Sequence, residues 1–81
     1  MVYVDLPRWK WRGRMWCHLT ADNLDELHKF AQRLGLKREW YQGPPKTAYP
    51  HYDTVFHAKA LKLGAQLVDS RVIVRKAKEL R

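Results

Sequence analysis

The sequence predicts a small α/β fold, with a single layer of mixed sheet of three to four strands packed with about three helices. Short β-branched and aromatic runs alternate with segments in which apolar residues recur every three or four positions. Hydrophobic residues make up 46% of the 81 residues, which is enough for a small core. We therefore expect a single domain over residues 1–81.

The first half of the chain predicts two strands and a helix. Residues 2–4 are β-branched and aromatic, and Asp5 follows at their carboxyl end. Residues 8–14 alternate charge with tryptophan, which indicates an exposed loop or hairpin before a second strand at residues 15–19. Apolar residues then follow one face of residues 22–34, so we expect a helix that Asp22 caps and Gly35 ends.

The second half predicts a strand, a helix, a strand and a helix. A strand at residues 38–42, with Trp40 in the core, leads into a proline-rich loop that ends at Pro50. Asp53 is a residue type that caps helices, which predicts a second helix from residue 53 to residue 63. A short strand at residues 66–68 precedes a third helix that Ser70 caps.

Charge and cysteine content limit the class of protein. The formal net charge of +8 favours anionic partners. The single cysteine, Cys17, excludes an intramolecular disulfide framework and a cysteine-rich zinc site, and we expect it to be a small buried hydrophobe. Residues 1–5 reach a charge without the apolar core of a signal peptide, and no run approaches a membrane span, so we expect a cytoplasmic protein.

Polar residues near the predicted carboxyl ends of strands form the first candidate site. Such a set binds a divalent cation, or acts as acid and base on a phosphate ester. The candidate metal ligands are Asp5, Asp22 and Asp53, and the candidate catalytic residues are Asp5, His51 and Asp53. Helix capping and a surface ion pair between Asp5 and Arg8 are the simpler alternatives for these carboxylates.

A second candidate site is the segment from residue 8 to residue 16, in which cations alternate with three tryptophans. Guanidinium groups bind phosphate, and tryptophan stacks on bases. The alternative is that the tryptophans are buried against the sheet while the cations reach solvent. The candidate ligand-binding residues are Arg8, Trp9, Lys10, Trp11, Arg12, Arg14, His18, His51, Tyr52 and Asp53.

Two segments carry a family resemblance, Trp-Cys-His-Leu-Thr-Ala-Asp at residues 16–22 and His-Tyr-Asp at residues 51–53. Together with residues 2–5, 26–28, 35–36, 40–42 and 64–65, they resemble the domain of unknown function 4031 family of small phage and bacterial proteins. The resemblance spans nearly the whole chain. It implies a small stand-alone protein, often phage-encoded, and implies no particular activity.

Three functions are compatible with these residues. The leading hypothesis is that the basic, tryptophan-rich surface binds a phosphate-bearing ligand, either a nucleotide or nucleic acid. The alternatives are a metal-dependent phosphodiesterase or nuclease, and a phage-type module that binds a host protein. Motifs of known mechanism such as HExxH, the Walker loop and CxxC are missing. A small chain houses a binding site more readily than a catalytic pocket, although a homo-oligomer would build a deeper one.

Overall fold

Five strands form one mixed sheet in a computed structural model, which describes residues 1–80. In chain order they are β1 (Val2–Val4), β2 (Trp9–Trp11), β3 (Arg14–Ala21), β4 (Tyr52–Thr54) and β5 (Gln66–Leu67). The order is β2-β3-β1-β5, and β4 pairs with β3 outside this path. Only the β1–β5 pair is parallel within this part of the chain. The predicted α/β class is confirmed, with five strands where three to four were predicted.

Strand β3 is the centre of the sheet. Leu19 pairs with Val4 of β1 and also with Tyr52 of β4, so these two strands lie on opposite edges of β3. Leu19 and Cys17 are completely buried in the apolar core, whereas His18 between them points to the other face. The alternation therefore gives the sheet one apolar face and one polar face.

Three helices cover the two faces: α1 (Leu24–Leu34), α2 (His57–Lys62) and α3 (Ser70–Glu79). Apolar side chains of α1, together with Ala60 of α2, pack with Leu19 in the main core. Ile73 and Ala77 of α3 instead line a cavity with His18, which places α3 over the polar face. No helix among residues 1–80 is both long enough and apolar enough to cross a membrane.

Helix α1 is close to its prediction, because its signals are local. Gly35 ends it with φ 91°, and the amide of Leu36 donates to the carbonyl of Ala31 at 2.9 Å, the Schellman arrangement. The predicted cap is wrong by one residue, since Asn23 Oδ1 accepts from the amide of Glu26 at 2.8 Å. Asp22 instead accepts from the Tyr3 hydroxyl at 2.9 Å.

Two predictions for the second half are wrong. Residues 38–42 do not form a strand, because Arg38–Trp40 is a single 3-10 turn and Trp40 is 48% exposed. Asp53 does not start a helix, because it lies in β4 between two buried neighbours, the alternation of a strand. Helix α2 begins only at His57.

The start of α3 differs from the prediction, and the end of α2 agrees with it. Helix α3 is capped by Asp69, whose Oδ1 accepts from the amide of Arg71 at 2.8 Å, and not by Ser70. The end of α2 is as predicted, with Gly64 in the left-handed region at φ 108°. Cys17 is buried, as expected, and this burial raises the pKa of its thiol to about 12.

Candidate metal centre

Three polar residues lie side by side on the polar face of the sheet. His18 is paired directly with Asp53 of the neighbouring strand β4. On the other edge of β3, the amide of Asp5 donates to the carbonyl of His18 at 3.3 Å. Because directly paired residues point to the same face, the sheet itself brings these side chains together.

Asp5 is completely buried and accepts three hydrogen bonds. The backbone amide of His18, its ring Nδ1 and the hydroxyl of Ser70 each donate to this carboxylate at 2.7 Å. Burial raises the pKa of Asp5, but the hydrogen bonds from His18 and Ser70 outweigh it and leave the pKa below its usual value. Asp5 therefore stays ionised and fixes His18 with Nε2 directed away from it.

His51 is oriented in the same way, by a backbone group. Its amide and carbonyl pair with those of Gln42 at 2.9 Å, and its Nδ1 donates to the carbonyl of Tyr49. Its Nε2 lies 3.2 Å from Oδ1 of Asp53. Burial lowers the pKa of His51, but the Asp53 carboxylate and the Tyr49 carbonyl outweigh it and raise the pKa overall.

Asp53 presents one oxygen that lacks a well-aligned hydrogen bond within the described chain. Its Oδ2 accepts from Nε2 of Gln42 at 2.6 Å. Its Oδ1 is buried and forms an ion-pair contact with Nε2 of His51 at 3.2 Å, without hydrogen-bond geometry among residues 1–80. A buried carboxylate oxygen in this situation is a candidate position for a bound cation. Burial raises the pKa of Asp53, but His51 and Gln42 outweigh it and lower the pKa overall, so the oxygen is anionic at neutral pH.

One ligand atom from each of His18, His51 and Asp53 lies close to the other two. These three atoms all lie within 4.8 Å of one another, and Nε2 of His18 and Nε2 of His51 are 4.0 Å and 3.2 Å from Oδ1 of Asp53. Metal bonds of about 2.1 Å place the ligand atoms of a tetrahedral site roughly 3.4 Å apart. A small movement of the side chains therefore brings all three atoms onto one ion.

A cavity of about 110 Å³ adjoins this cluster. Helix α3 forms its wall with mostly apolar side chains, and the two histidines stand at its edge. The lining residues are His18, Tyr49, His51, Ser70, Ile73, Val74 and Ala77. The cavity therefore has room for a few non-hydrogen atoms of a ligand beside the rings of His18 and His51.

The family described as protein of unknown function (DUF4031) matches residues 2–80 of the chain. The chain belongs to this family. No curated protein and no solved structure matches it. Every residue of the candidate metal centre lies within the span that matches the DUF4031 family.

Two other predicted site residues of this DUF4031 protein lie elsewhere. Tyr52 points into the apolar core, because neighbours in a strand face opposite sides, and its hydroxyl hydrogen-bonds Nδ1 of His28 at 2.9 Å. Asp22 lies with Tyr3 and with Lys76, whose Nζ is 3.3 Å from the carboxylate. Neither residue contributes to the three-atom cluster.

The predicted basic, tryptophan-rich segment reaches the cluster directly. Strand β2 and the start of β3 form a hairpin in which Trp9 pairs with Trp16. The ring of Trp9 lies against the ring of His18, with centroids 4.6 Å apart. The two candidate sites of the sequence are therefore neighbours in this DUF4031 protein.

Two residues that support the candidate cluster were missed from the sequence, Ser70, which donates to Asp5, and Tyr49, whose carbonyl contacts the His51 ring. Ser70 was assigned to helix capping, and Tyr49 was treated only as part of a loop. Ser70 reaches Asp5 across 65 positions of the chain, so no local pattern marks the contact. Only the sheet register and the docking of α3 bring these groups together.

Proposed function

We propose that this protein is a metal-dependent phosphodiesterase, with His18, His51 and Asp53 as the ligands of a divalent transition metal. The observation that carries the proposal is the buried Oδ1 of Asp53, which lacks a well-aligned hydrogen bond and faces Nε2 of both histidines. Two imidazoles and one carboxylate are a donor set of catalytic zinc sites, which keep a coordination position for water or substrate.

A simple ion pair accounts for only part of this geometry. His51 lies 3.2 Å from Asp53 Oδ1, which an ion pair would explain. His18 Nε2 is 4.0 Å from the same oxygen, and its Nδ1 is already committed to Asp5. Ligating histidines usually donate their second ring nitrogen to a carboxylate or a backbone carbonyl, and these two histidines use one of each.

The charge of the protein favours a phosphate ester as substrate. The net charge is +8, and exposed cations lie on the hairpin that touches His18 or directly before it, namely Arg8, Lys10, Arg12 and Arg14. Guanidinium groups bind phosphate oxygens through paired hydrogen bonds. Nucleotides and nucleic acids both carry such esters.

The proposed reaction needs only water as a second reactant. A divalent ion held by His18, His51 and Asp53 would lower the pKa of a bound water to about 7 and would polarise a phosphoryl oxygen. The water oxygen forms a bond to phosphorus, the bond from phosphorus to the ester oxygen breaks, and one proton of the water ends on the leaving oxygen. Asp5 and the Tyr49 carbonyl orient the rings of His18 and His51, respectively, so that both Nε2 atoms face the proposed metal position.

Metal titration tests the proposal. Calorimetry with Zn²⁺, and the visible absorption of Co²⁺, should show one ion per chain. His18→Gln, His51→Gln and Asp53→Asn should each lower the affinity more than about 100-fold, because each removes one of three ligands. His28→Gln is the matched control, since His28 contacts Tyr41 and Tyr52 on the other face.

Hydrolysis is measured separately on the small diester bis(4-nitrophenyl) phosphate, with Zn²⁺, Mn²⁺ and Mg²⁺. We expect turnover that needs the metal and that Asp53→Asn abolishes. Equal metal affinity in the ligand variants and in His28→Gln would refute the metal centre. Tight binding of a metal without any hydrolysis would retain the centre and refute the phosphodiesterase.

A further inference from the structure

We infer that the substrate of this site is single-stranded nucleic acid, held by the hairpin of residues 9–16, which we call the tryptophan hairpin. The inference deepens the proposed function, because it names the substrate class of the same metal centre. It depends on how the hairpin presents its rings, its cations and its turn.

The tryptophan hairpin directs its rings to one face. Trp9 pairs with Trp16 and Trp11 pairs with Arg14, so these side chains share a face with His18, which lies two residues beyond Trp16. The rings of Trp11 and Trp16 are 5.4 Å apart, and those of Trp9 and His18 are 4.6 Å apart. An aromatic surface therefore runs from the hairpin tip to a proposed metal ligand.

The tip of this surface is open to solvent. Trp11 is 52% exposed, and Met15 on the opposite face of the hairpin is 46% exposed. The indole of Trp16 donates to the carbonyl of Trp11 at 3.0 Å, which holds the two rings together without burying them. The alternative interpretation, in which the tryptophans are buried against the sheet, thus does not hold for Trp11.

The turn places a guanidinium group at this open ring. Arg12 and Gly13 both have positive φ, 52° and 74°, the conformation of a two-residue type I′ turn. Asparagine or glycine fits the first position best, whereas arginine there is strained. The Arg12 guanidinium carbon nevertheless lies 4.5 Å from the centroid of Trp11, so the turn supplies stacking and positive charge together.

The cations of the hairpin are available to an external anion. Lys10, Arg12 and Arg14 are exposed, and within the described chain none lies within salt-bridge distance of a carboxylate. Elsewhere Lys29 pairs with Asp25 and Lys76 with Asp22. Unpaired cations beside exposed indoles complement a phosphate backbone whose bases are free to stack.

This combination favours a single strand over the other anionic ligands. A duplex hides the faces of its bases in its own stack, so exposed indoles have no base face to stack on. An acidic peptide pairs with the cations but offers no aromatic faces to the indoles. From Arg14, the partner of Trp11, to His18 is four residues of strand, about 13 Å, so a free mononucleotide is too short to stack at the tip and reach the metal ligands.

Oligonucleotide binding by the metal-free full chain tests the inference. Anisotropy of a labelled 12-nucleotide single strand in EDTA should show binding that weakens with salt. Trp11→Ala should weaken it about 5- to 100-fold, the loss of one base–aromatic stack. Trp40→Ala is the matched control, since Trp40 is 48% exposed with Lys37 beside its ring at 5.7 Å. The affinity of this variant for the single strand should stay within about twofold of that of the parent protein.

Arg12→Asn separates binding from folding. Asparagine tolerates positive φ, so this variant should raise the thermal midpoint of unfolding, yet weaken the single-strand complex and reduce its salt slope by about 0.7. Equal losses in Trp11→Ala and Trp40→Ala would contradict the inference. So would tighter binding of a 12-base-pair duplex, of thymidine monophosphate or of a polyglutamate peptide than of the single strand.

The inference and the proposed function fail in different ways. Binding of Zn²⁺ and hydrolysis of the small diester, without any affinity for the single strand, would overturn the inference alone. Single-strand binding that depends on Trp11, with no metal bound in calorimetry, would overturn the proposed enzyme and retain the ligand class.

Discussion

Asp5 shows how a residue can decide a site without touching the ligand. Its carboxylate is completely buried and accepts from the His18 amide, the His18 ring and the Ser70 hydroxyl. The sequence makes Asp5 a candidate metal ligand and catalytic residue, whereas in the structure both of its oxygens accept hydrogen bonds from within the protein. Asp5 is therefore a positioning residue, which fixes the ring of His18 and joins β1 to the start of α3.

Asp5→Asn should lower Zn²⁺ affinity about 10- to 100-fold, the usual effect of losing a partner of a ligating histidine. An amide replaces one acceptor oxygen with a donor. Either the His18 amide loses its acceptor, or the His18 ring and Ser70, which share Oδ2, both lose theirs. The variant should also unfold about 1–3 kcal/mol more easily. Calorimetry and urea unfolding measure the two effects.

Two further variants separate positioning from general damage at Asp5. Ser70→Ala removes only one donor and should cost less metal affinity than Asp5→Asn. Asp22→Asn changes a carboxylate that contacts Tyr3 and Lys76, so its metal affinity should equal that of the parent. Full Zn²⁺ affinity in folded Asp5→Asn would show that Asp5 does not orient His18.

At the scale of elements, predictions succeeded where the signal was local. Helix α1 follows from its apolar repeat and from Gly35, which lie within one segment. Strand β4 was missed because Asp53 resembles a helix cap, and only its pairing with His18, 35 positions earlier, makes it a strand residue. The same register decides that His18 and Asp53 share a face while Tyr52 enters the core. Residue types thus named candidates for the site, and long-range pairing assigned their positions.

Helix α1 carries a histidine whose titration affects stability. His28 contacts the rings of Tyr41 and Tyr52, and burial, then the charge of Arg38, lowers its pKa from 6.5, while Asp25 acts in the opposite direction. The unfolded chain therefore binds the proton more tightly. The stabilisation that neutral His28 provides is therefore complete above about pH 6.5. It is lost as the pH falls from there towards the pKa of His28 in the folded protein.

His28→Gln should consequently lose stability less steeply than the parent protein between pH 7 and pH 5. Urea unfolding midpoints at half-unit steps measure the two curves. The carboxylates and the other histidines are the same in both proteins, so the difference between the curves isolates His28. Parallel curves over this range would show that the protonation of His28 is not linked to folding.

At the scale of the whole molecule, the two faces of the sheet have different tasks. The apolar face packs against α1 and α2 and holds the main core. The polar face carries the candidate metal centre, with α3 beside it and the tryptophan hairpin extending from it. The main core thus lies on one side of the sheet, and the candidate site lies on the other.

A metal at this centre would join elements that are distant in the chain. His18 belongs to β3 and Asp53 to β4, while His51 lies in the segment before β4; Asp5 links His18 to β1 and α3. An ion that binds only the folded state, present at a concentration 100 times its Kd, stabilises the folded state by about 2.7 kcal/mol. For a domain of this size, each kcal/mol raises Tm by about 4–8 °C, so Zn²⁺ should raise Tm by roughly 10–20 °C.

Thermal unfolding with and without Zn²⁺ measures this shift. His51→Gln should abolish most of it, because one ligand is gone, whereas His28→Gln should keep it in full. EDTA should reverse the shift in the parent protein, since the stabilisation comes from mass action. A shift that persists in His51→Gln would place the ion elsewhere, and no shift at saturating Zn²⁺ would mean that the three converging atoms do not bind a metal.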